Sequence, residues 1–395
     1  MMDPLHILSQ ELKETKSNKL FRFMRTIEGM QKPVVRINRR DVILMCSNNY
    51  LGLADNRELM KTAISAIRKY GVSAGASRLV SGNMTPHEQL EQDIARFKKT
   101  GSALVFNSGY HANTGIISAL AGKDTVILSD ELNHASIIDG IRLSRATLRI
   151  YKHRDATMVE DILRSIARKG NRNKPAKTLI VTDSVFSMDG DIAPLKELVT
   201  LAEKYHALIM VDEAHATGVL GKNGRGAAEM LGVNDRIHIQ MGTLGKALGS
   251  FGAYAAGSKV LTEYLINKSR AFIFTTALPP AVCAVSSKAI DIVQNHPGLR
   301  KLLEDNIIFL RNGLKNIGFP VSNDPTPIIP VLIGDAGKTM KLSSMLFERG
   351  IFVSGIRPPS VPRGTSRLRI TVTAAHTRDM LEQVIDEMKR VSTIL

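Results

Sequence analysis

Tryptophan is absent from this chain of 395 residues, and aromatic residues make up 5% of it. A platform that stacks the bases of a single strand needs such rings, so nucleic-acid binding is poorly supplied. There are two cysteines, Cys46 and Cys283, far apart in sequence and outside any CxxC pair. Their spacing excludes a disulfide framework and a zinc knuckle, leaves two reduced thiols, and calls for no metal. No run approaches 18 consecutive apolar residues, and the first twenty lack the unbroken apolar core of a signal peptide. The reading is a soluble cytoplasmic protein with no membrane partner. No HExxH occurs, and "SVFSMDG" (184–190) has no GxSxG elbow, so zinc peptidase and serine hydrolase chemistry fall away. "GDAGKT" (334–339) lacks the leading glycine of a phosphate loop, and "GKNGRG" (221–226) is not in dinucleotide order.

What the chain has is a formal net charge of +16 and 44% hydrophobic residues. That is enough apolar material for a sizeable core in two or three domains. The positive charge is spread in short pairs, with one denser patch at 167–177, and suits phosphate-bearing substrates or an acidic protein partner. Between residues 100 and 260, apolar β-rich runs alternate with helical patterns, the signature of a mostly parallel sheet. The strand candidates are 103–109, 124–130, 177–187, 207–216, 237–243 and 251–258. Residues 194–206 and 281–318 show helical periodicity. Beyond them, strand candidates 328–334, 351–356 and 367–373 mix with helices at 339–350 and 377–391, as in a smaller α+β domain. The expected divisions are an N-terminal segment 1–45, a large domain 46–282 and a small domain 283–395.

Ligands of an open parallel sheet sit beyond the carboxyl ends of its strands. Here successive strand candidates end in "FNSGYHAN", "DELNHAS", "DSVFSMDGD", "DEAHATG" and "GTLGKALG". The last stretch sets Lys246 among glycines, and a lysine amine made nucleophilic toward an aldehyde is the usual anchor of pyridoxal phosphate. The other groups that this cofactor needs are present. Asp212 can hold a proton on the pyridine nitrogen. "SGYHAN" (108–113) opens a helix whose amides suit a phosphate, with Thr243 three residues before the lysine. His134 offers a flat face, and Ser184 and His215 offer donors to the phenolic oxygen.

Taken together, "SNNYLGLA" (47–54), "GASRLVSGN" (75–83), "HASIIDG" (134–140), "DSVFSMDGD" (183–191), "VDEAHATGVLG" (211–221) and "GTLGKALG" (242–249) resemble the α-oxoamine synthases. The resemblance runs from about residue 20 to the end. It implies the aspartate-aminotransferase fold (fold type I), with a mostly parallel seven-stranded sheet and a smaller α+β domain. It assigns Lys246, Asp212, His134 and His215 to the chemistry. Gly109, Tyr110 and Thr243 would make the phosphate site, and Ser184 and His215 would bond the ring oxygen. Arg369 would anchor the amino-acid carboxylate with Asn48 close by. Arg22 and Ser360 would meet the acyl substrate, and Thr275 or Thr276 would reach the phosphate of a second subunit in a homodimer. "GIRPPSVPRGTSRLRITVTAAHT" (355–377) implies condensation of L-alanine with pimeloyl-CoA or pimeloyl-acyl carrier protein. The alternative is glycine with acetyl-CoA.

Overall fold

The computed structural model describes residues 5–18, 20–169 and 177–392, so most of the basic patch at 167–177 lies outside the described residues. The chain divides into two compact units. The larger comprises Asn49–Ser187 and Asp191–Leu302; the smaller comprises residues up to Asn48, Met188–Gly190 and Leu303–Leu395.

The larger unit is built on seven strands: β1 (Ser102–Phe106), β2 (Thr125–Asp130), β3 (Thr147–Tyr151), β4 (Lys177–Asp183), β5 (Leu208–Asp212), β6 (Ile239–Thr243) and β7 (Ala253–Gly257). Their order across the sheet is β1-β7-β6-β5-β4-β2-β3. β7 runs antiparallel to both of its neighbours, and the remaining pairs are parallel. Helices cover both faces of a parallel sheet, so its inner strands read as unbroken apolar runs. In β4 every residue after Lys177 is buried. The edge strand β3 is different, with Arg149 and Ile150 exposed. Lacking such a run, it escapes the sequence reading.

Helices α1 (Gly109–Leu120) and α2 (Ala135–Ser144) follow β1 and β2. Their Ile116, Ile117, Ile137 and Ile141 join Phe106, Val181, Met210 and Met241 in one core cluster. This packing fixes where each strand ends, and the carboxyl ends of β1, β2, β4, β5 and β6 fall on one edge of the sheet. Beyond that edge His153 lies between two carboxylates, with Nδ1 3.0 Å from Asp130 and Nε2 2.8 Å from Asp191. Burial opposes charge on this ring, but the hydrogen bonds and charge of the two carboxylates outweigh it and raise the pKa to about 9.

The smaller unit holds two three-stranded sheets. A hairpin pairs Val34–Ile37 with Arg40–Leu44 through Asn38 and Arg39, both at positive φ, and Ile351–Phe352 adds to it in parallel. The second sheet places Ser366–Thr371 between Ile328–Gly334 and Ser354–Ile356. The run 351–356, one strand by sequence, is therefore two short strands in different sheets.

The helix Pro280–Asn295 packs on Arg57–Tyr70 and Thr85–Lys98 and stays with the larger unit. The N-terminal segment joins the C-terminal residues because Arg40–Leu44 pairs with Ile351–Phe352. Both thiols are free. Cys283 is fully buried, which pushes its pKa up to about 12, and burial also raises that of Cys46. No helix among the described residues is long and apolar enough to cross a membrane.

Candidate active site

In the larger unit the residues read from successive strand ends converge. Asp212 closes β5 and is 3% exposed. One carboxylate oxygen accepts from the Ala214 amide at 2.8 Å, and the other accepts from Asn113 Nδ2 at 2.8 Å. Asn113, on the inner side of α1, also donates to Ser136 of α2 at 2.9 Å. This carboxylate is held by neutral donors, as a partner for a cationic ring nitrogen requires. Asp183 ends the neighbouring strand β4 and accepts from the His134 amide at 2.8 Å. Burial, and then the charge of Asp212, raise its pKa well above the carboxylate range.

His134 caps α2, with Nδ1 2.7 Å from Ser136 Oγ, and its ring stays open to solvent. The surrounding protein lowers the pKa of this imidazole; Asp212 pulls it up and Lys246 pushes it down. A neutral, solvent-exposed ring is suited to stacking on a flat ligand.

Lys246 lies on a tight loop anchored by Leu244, Ala247 and Leu248, all buried. The loop closes through Gly249, whose amide reaches the Lys246 carbonyl at 2.9 Å. Gly249 has φ +61°, and a Cβ there would stand 2.5 Å from the Leu53 carbonyl carbon. Only glycine fits. The Lys246 amine lies 3.0 Å from Nε2 of His215, and His215 Nδ1 lies 2.7 Å from the hydroxyl of Tyr50.

A cradle forms where β1 runs into α1. Ser108 caps the helix by accepting from the His111 amide at 3.2 Å, and the amides of Gly109 and Tyr110 have no intrahelical acceptor. A Cβ on Gly109 would lie 2.8 Å from Thr243 Cγ2, so the missing side chain keeps the space between α1 and β6 open. Asn107, just before, donates to Thr275 Oγ1 at 3.0 Å and to the Thr276 carbonyl at 2.8 Å. This holds the 275–276 segment beside the cradle.

Two of the residues read as cofactor contacts carry other side-chain hydrogen bonds. The Ser184 side chain is fully buried, and its single proton is directed at the Asp212 carbonyl at 2.9 Å or Glu213 at 3.0 Å. That hydroxyl is shared between the Asp212 carbonyl and the Glu213 carboxylate; Ser187, in the same loop, is only half-buried. Tyr110 donates its hydroxyl to Asp139 at 2.5 Å, so its amide, not its phenol, belongs to the cradle.

In the smaller unit, Arg369 extends two guanidinium nitrogens to Asn48 Oδ1, each at 3.2 Å. Arg367, two residues earlier, is held by the Asp189 carboxylate and the Met188 carbonyl, so the second arginine of "RLRI" is the better placed for a ligand. Arg22 stands 3.4 Å from Ser360 Oγ.

Sequence reasoning missed Tyr50, Asn113, Asp183 and Ser187. Each lies inside a motif already quoted, so position was legible; which side chain faces inward needed the fold. The set fits pyridoxal phosphate: an amine, a buried carboxylate held by donors, an open imidazole face, and a glycine-lined helix start.

The chain belongs to the aminotransferase class I and II family, whose model matches residues 40–388. Its fold is that of the fold type I pyridoxal-phosphate enzymes, and pyridoxal phosphate is its cofactor. The chain is 51% identical over 389 residues to the 8-amino-7-oxononanoate synthase of Geotalea daltonii, covering 98% of each. Serine palmitoyltransferase from S. paucimobilis, solved with bound PLP–myriocin aldimine, superposes with a TM-score of 0.92 at 31% identity over 100% of this chain and 99% of that one. The 8-amino-7-oxononanoate synthase of Francisella tularensis superposes with a TM-score of 0.75 at 32% identity, over 89% of this chain and 98% of that one.

Proposed function

We propose that the chain condenses L-alanine with pimeloyl-CoA or pimeloyl-acyl carrier protein to give 8-amino-7-oxononanoate, carbon dioxide and a free thiol, a step of biotin biosynthesis. The observation that carries this choice is the 51% identity to the G. daltonii enzyme across 98% of both chains. Pyridoxal phosphate, when bound, supplies the electron sink for the charge left on the alanine Cα. Lys246 anchors the cofactor, and its amine removes the Cα proton and later returns one. Asp212 keeps a proton on the pyridine nitrogen, and the amides of Gly109 and Tyr110 with the Thr243 hydroxyl bind the phosphate. His134 supports the ring face. His215 donates through Nε2 to the phenolic oxygen and to the thioester carbonyl as charge develops there. Ser187 takes the donor role first read for Ser184.

Arg369, with Asn48, holds the alanine carboxylate by a bidentate fork. Arg22 and Ser360 receive the acyl chain, and the basic surface attracts either carrier. The exposed Leu79, Val80 and Phe274 support a homodimer in which Thr275 or Thr276 reaches the partner's phosphate. The free thiols accord with a cytoplasmic setting.

The test is thiol release by the cofactor-loaded protein, with L-alanine plus pimeloyl-CoA set against glycine plus acetyl-CoA. Faster release with the first pair is expected. Faster release with the second would overturn the substrate assignment and leave the lysine chemistry standing.

A further inference from the structure

We propose that Tyr50 is a positioning residue for the reaction: its phenol holds Nδ1 of His215 and thereby presents Nε2, and only Nε2, to Lys246. The inference rests on the proposed function above, in which His215 acts as a donor beside the lysine.

Tyr50 is completely buried. It sits in the turn Asn49–Gly52, closed by the Gly52 amide on the Asn49 carbonyl at 2.9 Å and flanked by buried Leu51 and Leu53. A phenol on so rigid a turn is a fixed point. Its oxygen lies 2.7 Å from Nδ1, while Nε2, on the far side of the same ring, lies 3.0 Å from the Lys246 amine. The three groups form one line of hydrogen bonds.

The turn that carries His215 is closed by the Ala216 and Thr217 amides on the Glu213 carbonyl, and neither of these bonds engages the ring. Half a rotation would exchange nitrogens for carbons at both ends of the line. In a ring only 6% exposed, an unpartnered Nδ1 is costly, so the phenol at that atom favours this rotamer. The hydroxyl can also donate or accept. It therefore serves His215 whether the imidazole proton is on Nδ1 or Nε2, and lets Nε2 give up and regain a proton without reorienting the ring.

The experiment is a double-mutant cycle on the cofactor-loaded enzyme with Tyr50→Phe, His215→Ala and the double variant, read by thiol release and by the visible absorption spectrum. Tyr50→Phe is expected to lower kcat roughly 10- to 100-fold, by analogy with removal of the partner that orients a metal-bound histidine. KM for L-alanine should stay within about twofold, and the balance of the cofactor's absorption bands should shift. In the His215→Ala background the same substitution should change kcat by less than about twofold, because its effect runs through the ring. An equal fall in both backgrounds, or an unaltered rate and spectrum, would overturn the proposal. Should Tyr50→Phe fail to fold, histidine ¹⁵N spectra of the wild type decide, with His215 assigned among the ten histidines by its loss in His215→Ala. A hydrogen-bonded Nδ1 supports the proposal, and a solvent-like Nδ1 overturns it. A wild type that binds the cofactor but releases no thiol would refute the proposed function instead, while the spectra would still judge Tyr50.

Discussion

Replacing His153 by glutamine tests whether a charged imidazole ties together the segments beyond β2, β3 and β4. The ring lies between Asp130, itself 1% exposed, and Asp191, which also receives Arg154 at 3.2 Å. Raising a histidine from 6.5 to about 9 corresponds to about 3 kcal/mol. The 22% of the side chain that solvent reaches reduces this to about 2 kcal/mol. Because the folded pKa is raised, this stabilisation is complete below about pH 6.5 and disappears as pH climbs through 9. Asp191 sets the other limit. Burial pushes its pKa upward, but the bonds and charge of His153 and Arg154 prevail and hold it below 3.8, so the clamp weakens only in stronger acid. Urea unfolding of wild type and His153→Gln at pH 6 and pH 10, followed by far-UV circular dichroism, should show a gap in free energy about 2 kcal/mol wider at pH 6. Equal gaps at the two pH values would refute a charged imidazole.

Two further substitutions probe the site directly. Gly109→Ala places a methyl 2.8 Å from Thr243 Cγ2, and overpacking of about 1–3 kcal/mol should weaken cofactor binding by roughly 5- to 150-fold in an absorbance titration. Unchanged affinity would remove the phosphate from this cradle. Arg369→Lys keeps the charge but loses the planar fork, so KM for L-alanine should rise by about tenfold or more while KM for the acyl thioester holds steady. A rise in the thioester KM alone would reassign that arginine.

The inner strands were legible because a strand covered on both faces must be apolar throughout, and the site residues were legible because they follow such strands directly. What escaped had physical reasons. β3, at the sheet edge, exposes three of its five residues and has no apolar run. The 351–356 run is apolar enough for one strand, but its two halves take partners from different sheets. Ser184 and Ser187 are both hydroxyls in one motif, and only the packing under Asp212 shows that the first is occupied. Tyr50 reads as one more apolar residue in "SNNYLGLA" until its phenol is found against His215. Local pattern locates a motif; the inward-facing side chain is chosen by contacts distant in sequence.

The burial of both cysteines has a practical side. The reaction liberates a thiol, and an aromatic disulfide reagent reports that product continuously by colour. Enzymes with accessible cysteines consume the reagent themselves and are inactivated as it couples to them. Here Cys283 is sealed in the core with its thiolate strongly disfavoured, and Cys46 is half-buried with its pKa raised. The folded chain is therefore expected to react slowly with such a reagent, so that turnover can be followed in one cuvette and unfolding appears as two new thiols per chain.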